Sequence, residues 1–332
     1  MQTLINRLEQ IARETGFFGV ISMDQQNVSL FCQAYGDRDV KNQLPNTPTT
    51  RFGIASGTKL FTALGIGKLI DQGRISLQTG VGEIAREYQG FIDPCATILQ
   101  LLTHTSGIYD YYDEEIEQDW DRFFVEIPWY RLETPSDYLP LFVNKPLKFL
   151  PGERYSYSNG GYVLLGMLIE KLTGQRYRDF LQEHILAPAG MTHSGFFALN
   201  DLPENTANGY LADRQTTNIY NLPIRGGGDG GMFTTAADLA AFWPKLLTGE
   251  ILLAETTRQF LASQHKFDEQ RTYGCGVYKR LEDRLYYILG GDAGVGFASY
   301  YQLPEQLTIS ILSNISDGID ILLTVIREFF GW

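Results

Sequence analysis

Apolar positions change period along this chain. Residues 3–14 place Leu4, Leu8 and Ile11 on one face at helical spacing. Residues 17–23 and 28–32 are short apolar runs joined by a polar turn at 24–27, which predicts two strands. After a polar connection, Leu60, Phe61, Leu64 and Ile70 restore helical periodicity, ending near Gly73. The middle reads as helices with long loops. Residues 98–103 form a short apolar helix, and 161–172 another with Val163, Leu164, Met167, Leu168 and Leu172 inward, stopped by Gly174. Thr235-Ala-Ala-Asp238 predicts a capping box opening a helix through Leu247. Past residue 270 the pattern becomes aromatic and β-branched. Runs at 273–279, 285–289, 298–303 and 307–313 predict strands, with a tight hairpin connection at 303–307. A last helix carries Ile319, Leu322, Ile326 and Phe330.

Short connections imply antiparallel pairing. The expected fold is α/β of the α+β kind: an antiparallel sheet flanked by N- and C-terminal helices, with a mainly helical middle region. Residues 1–75 and 265–332 together are expected to build the sheet domain, and 76–264 a helical domain, with an active site between them.

The 332 residues are 44% hydrophobic and 20% charged, enough for a sizeable core and unlike a disordered chain. A net charge of -12 argues against a nucleic-acid surface. Apolar stretches are broken within about ten residues, so no membrane span is expected. The N-terminal helix contains acid and lacks a secretory pattern, so a cytoplasmic location is expected if Met1 is the native start. Cys32, Cys95 and Cys275 suggest no disulfide framework, and His104, His184, His193 and His265 have no metal-ligand spacing. No cofactor and no metal are expected.

Three segments carry chemistry. Ser56-Gly-Thr-Lys59 precedes the helix at 60–70, and a serine three residues before a lysine shares its face. The amine then takes the hydroxyl proton, and the helix N-terminus offers N–H groups to an oxyanion. Pro151-Gly-Glu-Arg-Tyr-Ser-Tyr-Ser-Asn-Gly-Gly161 is a turn-rich loop before an apolar helix, with Tyr157 and Asn159 two apart and pointing the same way if extended. Asn159 also stands where a helix N-cap would. Gly290-Gly-Asp-Ala-Gly-Val-Gly-Phe297 lies between two predicted strands, where glycine permits close backbone approach to a ligand.

This order, Ser-x-x-Lys, then Tyr-x-Asn, then a glycine-rich strand, resembles the serine β-lactamase and penicillin-binding protein superfamily. The nearer match is its class C branch, which includes related esterases and D-amino-acid peptidases. Leu101-Leu-Thr-His-Thr-Ser-Gly107, Pro151-Gly152 and Gly230-Gly-Met-Phe-Thr-Thr-Ala-Ala-Asp-Leu239 extend the resemblance over nearly the whole chain. It implies a serine hydrolase that forms an acyl-enzyme on an ester or amide of a small molecule or short peptide. Ser56 would be the nucleophile, Lys59 and Tyr157 would share its proton, and Asn159 would position Lys59 or the substrate. The N–H groups of Ser56 and Val295 would form the oxyanion hole, with Asp292 and Gly294 at the substrate. A phenolate at Tyr157 would need a lowered pKa, most simply from Lys59.

The family has Lys-Thr-Gly or His-x-Gly where this chain has Asp292-Ala-Gly294. Two unit charges about 4 Å apart interact by about 4 kcal/mol at an effective dielectric of 20, so an aspartate there opposes a substrate carboxylate. A neutral or cationic acyl substrate is expected. Two alternatives follow: a catalytically weak binding protein with Asp292 paired to Lys59, or a true β-lactamase or DD-peptidase. Residues 109–130 hold eight aromatic side chains, with seven carboxylates from Asp113 to Glu126. They fit either an acidic rim for an amine-bearing substrate or an amphipathic surface helix. Gly226-Gly-Gly-Asp-Gly-Gly231 fits a nucleotide-loop pattern but lacks the preceding strand.

Overall fold

The computed structural model covers residues 1–332 and describes all of them except Gln89, Gln118 and Asp317. Helix α1 (Gln2–Glu14) leads into strands β1 (Gly19–Gln25) and β2 (Val28–Tyr35). Helix α2 (Thr58–Asp71) follows a 3-10 turn at Ala55–Gly57. Helices α3 (Asn159–Thr173) and α4 (Ala236–Thr248) are the longest of the middle region. Then come β3 (His265–Lys266), β4 (Arg271–Tyr273), β5 (Tyr278–Arg280), β6 (Leu285–Asp292), β7 (Val295–Gln302), β8 (Leu307–Ser313) and helix α5 (Asp320–Phe330).

The eight strands form one antiparallel sheet in the order β2-β1-β8-β7-β6-β5-β4-β3. Strand alternation divides its side chains between two cores. Ile309 and Ile311 of β8 join Leu4, Leu8, Leu322 and Ile326 of α1 and α5. Leu312 and Phe297 join the larger core with Leu60, Phe61 and Leu64 of α2, Leu164 and Leu168 of α3, and Phe242 and Trp243 of α4. Trp243 donates its Nε1–H to Ser299 at 2.9 Å, answering the one polar group that this indole carries into the core.

Three local expectations change. The run expected as one strand at 273–279 splits into β4 and β5, because Gly274 and Gly276 fall inside it and Gly276 turns at φ 79°. Thr235 caps α4 by accepting from the N–H of Asp238, but the return half of the capping box is absent: the Asp238 carboxylate accepts from His193 N and Ser194 Oγ instead. Residues 109–128 form no helix among those described; the segment is a run of turns in which Tyr112 is buried.

Strand β6 pairs with β7 along its whole length but with β5 only at 285–287. Residues 288–292 therefore leave one edge of β6 uncovered by a strand, and this edge meets the turn that carries Ser56.

Candidate active site

Ser56 sits in the 3-10 turn, and Ala55 before it holds a left-handed backbone at φ 43°. Such a conformation is uncommon for a residue with a Cβ, and it turns the chain sharply at the nucleophile. Helix α2 then fixes the i,i+3 geometry expected from the sequence. Lys59 is only 2% exposed, and its Nζ lies 2.9 Å from Ser56 Oγ, 2.7 Å from Asn159 Oδ1 and 2.7 Å from the backbone oxygen of Asp229.

Those three contacts suit both protonation states: an ammonium gives its third N–H to Ser56 Oγ, and a neutral amine turns its lone pair to the Ser56 hydroxyl. Amide and backbone oxygens only accept, so each takes one N–H. A neutral amine has two N–H groups and one lone pair, and the lone pair is then directed at the Ser56 hydroxyl. Burial pushes the Lys59 pKa down, against the opposing pull of Asp229, Glu114, Asp110 and Asp292. Burial thus acts towards the neutral, proton-accepting form, and the carboxylates act against it.

Asn159 is the first residue of α3, while Ser158 is the N-cap and accepts from Gly161 N at 3.0 Å. Relieved of capping, Asn159 uses its oxygen on Lys59 and its amide on Tyr112 O and Glu114 Oε1, at 2.9 and 3.2 Å. The remaining N–H groups at this end go to Asp110, which accepts from Asn159 N and Gly160 N at 2.8 and 2.9 Å. Burial nevertheless raises the Asp110 pKa to about 7.

Tyr157 stacks its ring 4.4 Å from that of His104, and Lys59 Nζ lies 4.8 Å from the Tyr157 ring centre. His104 is buried and held neutral; its Nδ1 accepts from Ser158 N at 3.0 Å, which leaves Nε2–H for Tyr273. The segment Leu101–Gly107 thus serves as the bracket for the Tyr157 loop. The lowered pKa that a phenolate at Tyr157 would need is not what its surroundings produce. Burial, followed by the nearby carboxylate of Glu114, raises the Tyr157 pKa well above the ordinary phenol value, with Ser56 acting the other way. Tyr157 keeps its proton.

The glycine-rich segment also differs from expectation. Ala293 and Gly294 form a two-residue turn, with Gly294 at φ 70°, between the paired residues Asp292 and Val295. A connection this tight closes on a hydrogen-bonded pair, which commits the Val295 N–H to the ladder rather than to an oxyanion. Alternation along β6 then directs the Gly291 N–H out of the uncovered edge. Gly290 packs on the serine turn, where a Cβ would meet Ile54 O at 2.1 Å, while a Cβ on Gly291 would meet nothing. Gly294 N donates to Ser316 Oγ at 2.8 Å.

Asp292 does not pair with Lys59; no ion pair joins them among the described residues. Its Oδ1 accepts from Ala293 N at 3.0 Å. Burial raises its pKa to about 7, with Asp229 and Glu114 adding repulsion. Asp292 lines, with Ser56, Glu114, Trp120, Tyr155 and Tyr157, a cleft of about 830 Å³ that continues along β6 to Arg271 and Trp332.

Asp229 and Glu114 were not singled out from the sequence. Asp229 belongs to the glycine run at 226–231, which Thr62 ties to α2 through Gly228 O at 2.6 Å. Its carboxylate accepts from Tyr111 at 2.5 Å. Glu114 lies in the acidic aromatic segment, and its carboxyl pKa is raised by burial.

Comparisons with known proteins identify the family of this chain. The Beta-lactamase family model matches residues 4–322. Penicillin-binding protein 4* of Bacillus subtilis is 32% identical over 95% of this chain and 71% of its own length. Protein flp of Staphylococcus aureus is 34% identical over 86% of this chain, which spans 57% of that longer protein. The crystal structure of a penicillin binding protein from Bacillus halodurans superposes with a TM-score of 0.91 at 35% identity, covering 97% of this chain and all of that one. A D-stereospecific amidohydrolase from Streptomyces shares the fold, with a TM-score of 0.81 at 24% identity over 100% of this chain and 99% of that one. This chain belongs to the beta-lactamase family.

Proposed function

We propose that this protein is a serine hydrolase that cleaves an amide or ester through an acyl-enzyme on Ser56. The contacts of the Lys59 amine carry this reading: two acceptors occupy its N–H groups, and its third neighbour is the Ser56 hydroxyl. The names of its relatives, penicillin-binding proteins and amidohydrolases, point to the same class of chemistry.

The steps follow from the proton positions. Ser56 Oγ attacks the substrate carbonyl while its proton moves to Lys59 Nζ. The oxyanion is met by the Ser56 N–H and, in our reading, the Gly291 N–H; each such donor is worth about 2.7–4 kcal/mol. Lys59 then passes its proton back to the leaving nitrogen or oxygen through the Tyr157 phenol, which gives one proton as it receives another. Water repeats the sequence in reverse, releasing the acid and restoring Ser56. Tyr157 acts as a relay and proton donor here, because its phenol stays protonated.

Labelling with a fluorophosphonate tests the proposal. The wild type should label, and Ser56→Ala should not. Absence of labelling in both, with the variants folded, would favour a binding protein on this scaffold. Labelling by a fluorescent penicillin at comparable rate would favour a β-lactamase or DD-peptidase.

A further inference from the structure

Beside Ser56 lies a small side cavity, about 60 Å³, lined by Ala55, Tyr111, Tyr138, Asp229, Asp292 and Val295 among others. Asp292 and Val295 also line the main cleft, so the cavity opens next to the reacting centre. At roughly 10–15 Å³ for each water-sized occupant, it holds about four to six small groups. Two carboxylates face it, and no lysine, arginine or histidine lines it. Among the described residues no ion pair holds Asp292, and Asp229 has the Tyr111 phenol, backbone donors and the electrostatic pull of Lys59.

A second observation is independent of the charge. Tyr138 lines the cavity, is 2% exposed, and its hydroxyl takes part in no hydrogen bond among the described residues. The hydroxyl of Tyr112, outside the cavity lining, is buried without a partner among the described residues, and Asp292 is the charge that acts most strongly on it. Buried phenols normally find a partner, so these invite one. The edge-on pair of Tyr111 and Tyr138, with ring centres 5.3 Å apart, adds aromatic surface that suits an organic cation better than a hard metal ion.

We infer that this side cavity is an ammonium subsite, taking a primary ammonium on the acyl half of the substrate between the carboxylates of Asp229 and Asp292, with the Tyr138 hydroxyl as a further ligand. The inference rests on the hydrolase reading for the word acyl, though not for the binding itself. The titratable groups that line the cavity are Asp229 from the glycine run, Asp292 from β6, and the phenols of Tyr111 and Tyr138; Glu114 and Lys59 lie outside its lining and act on Asp292 through space. Because burial holds the carboxyl of Asp292 near 7, ammonium binding strengthens as pH rises through that value, and weakens again once the ligand's own amine loses its proton.

The test is calorimetric titration of Ser56→Ala with alaninamide of each hand and with N-acetylalaninamide at pH 7.5. At least one enantiomer of the free amine should bind tenfold or more tighter than its acetylated form. Asp292→Asn in the same background should erase most of that ratio, and Tyr138→Phe, which breaks no existing bond, should reduce it several-fold. Equal binding of the free and acetylated amides, or a ratio unmoved by both substitutions, would overturn the subsite. Fluorophosphonate labelling of the wild type keeps the two readings apart. Amine-selective binding without labelling sinks only the hydrolase, and labelling without amine selectivity sinks only the subsite.

Discussion

Lys59 and Asp292 approach Ser56 from opposite walls of one cleft, and their surroundings differ in a way that assigns their work. On the helical wall every polar atom of Lys59 has a partner, and those partners are in turn held: Asn159 by Tyr112 O and Glu114, the Asp229 loop by Thr62. On the strand wall Asp292 has one backbone donor and faces further carboxylates. A saturated network fixes geometry, as proton transfer over one hydrogen bond requires. An unsatisfied carboxylate is a poor structural element and a good receptor for something not yet there. The helical wall is built for chemistry, the strand wall for recognition.

The sharpest way to break this division is on the helical wall. Lys59→Ala should lower kcat by about 10²–10⁴-fold, the usual worth of a positioned base, with circular dichroism unchanged. Tyr157→Phe should cost less and fall mainly on substrates with a poor leaving group, since the relay matters most where the leaving atom needs a proton; an amide and an ester compared side by side will read this. A uniform loss on both would remove Tyr157 from the proton path.

The strand wall gives smaller effects. Gly290→Ala drives a Cβ into Ile54 O and should destabilise by about 1–3 kcal/mol, read as a drop in Tm. Gly291→Ala, one residue on, meets nothing and should stay within about 0.5 kcal/mol. Asp292→Asn should show a pH signature. The folded protein holds the Asp292 carboxyl near 7, above its ordinary 3.8, so that stability is present below 3.8 and lost as pH rises through 7. Asparagine cannot ionise, so the Tm of Asp292→Asn relative to wild type should climb between pH 4 and pH 8. A flat difference across that range would mean that Asp292 ionises as freely folded as unfolded.

Much of the helical wall was legible in the sequence, because its logic is local. Ser56 and Lys59 are one helical turn apart, and Tyr157 and Asn159 lie in one turn-rich segment before an apolar helix. The sheet was legible from period and turn signals, except at 271–280, where two glycines break a run that is otherwise aromatic. The strand wall was harder. Val295 looked like an oxyanion donor from its place after the glycines, but whether its N–H faces the ladder or the cleft depends on where the hairpin closes, and that is set by pairing with β7. Asp229 was hidden because its tie to Lys59 is a backbone oxygen, which has no side-chain signature. Glu114 stood within a run of acids that reads equally well as a solvated face.

The central claim is that Lys59 is a neutral base aimed at Ser56. The most direct test is the rate of fluorophosphonate labelling of Ser56 as a function of pH, in wild type and Lys59→Ala. The account predicts that labelling of the wild type rises with pH through an inflection below the ordinary lysine value of 10.5, and that Lys59→Ala labels far more slowly with the inflection gone. An unchanged inflection in Lys59→Ala would place the base elsewhere and contradict the account.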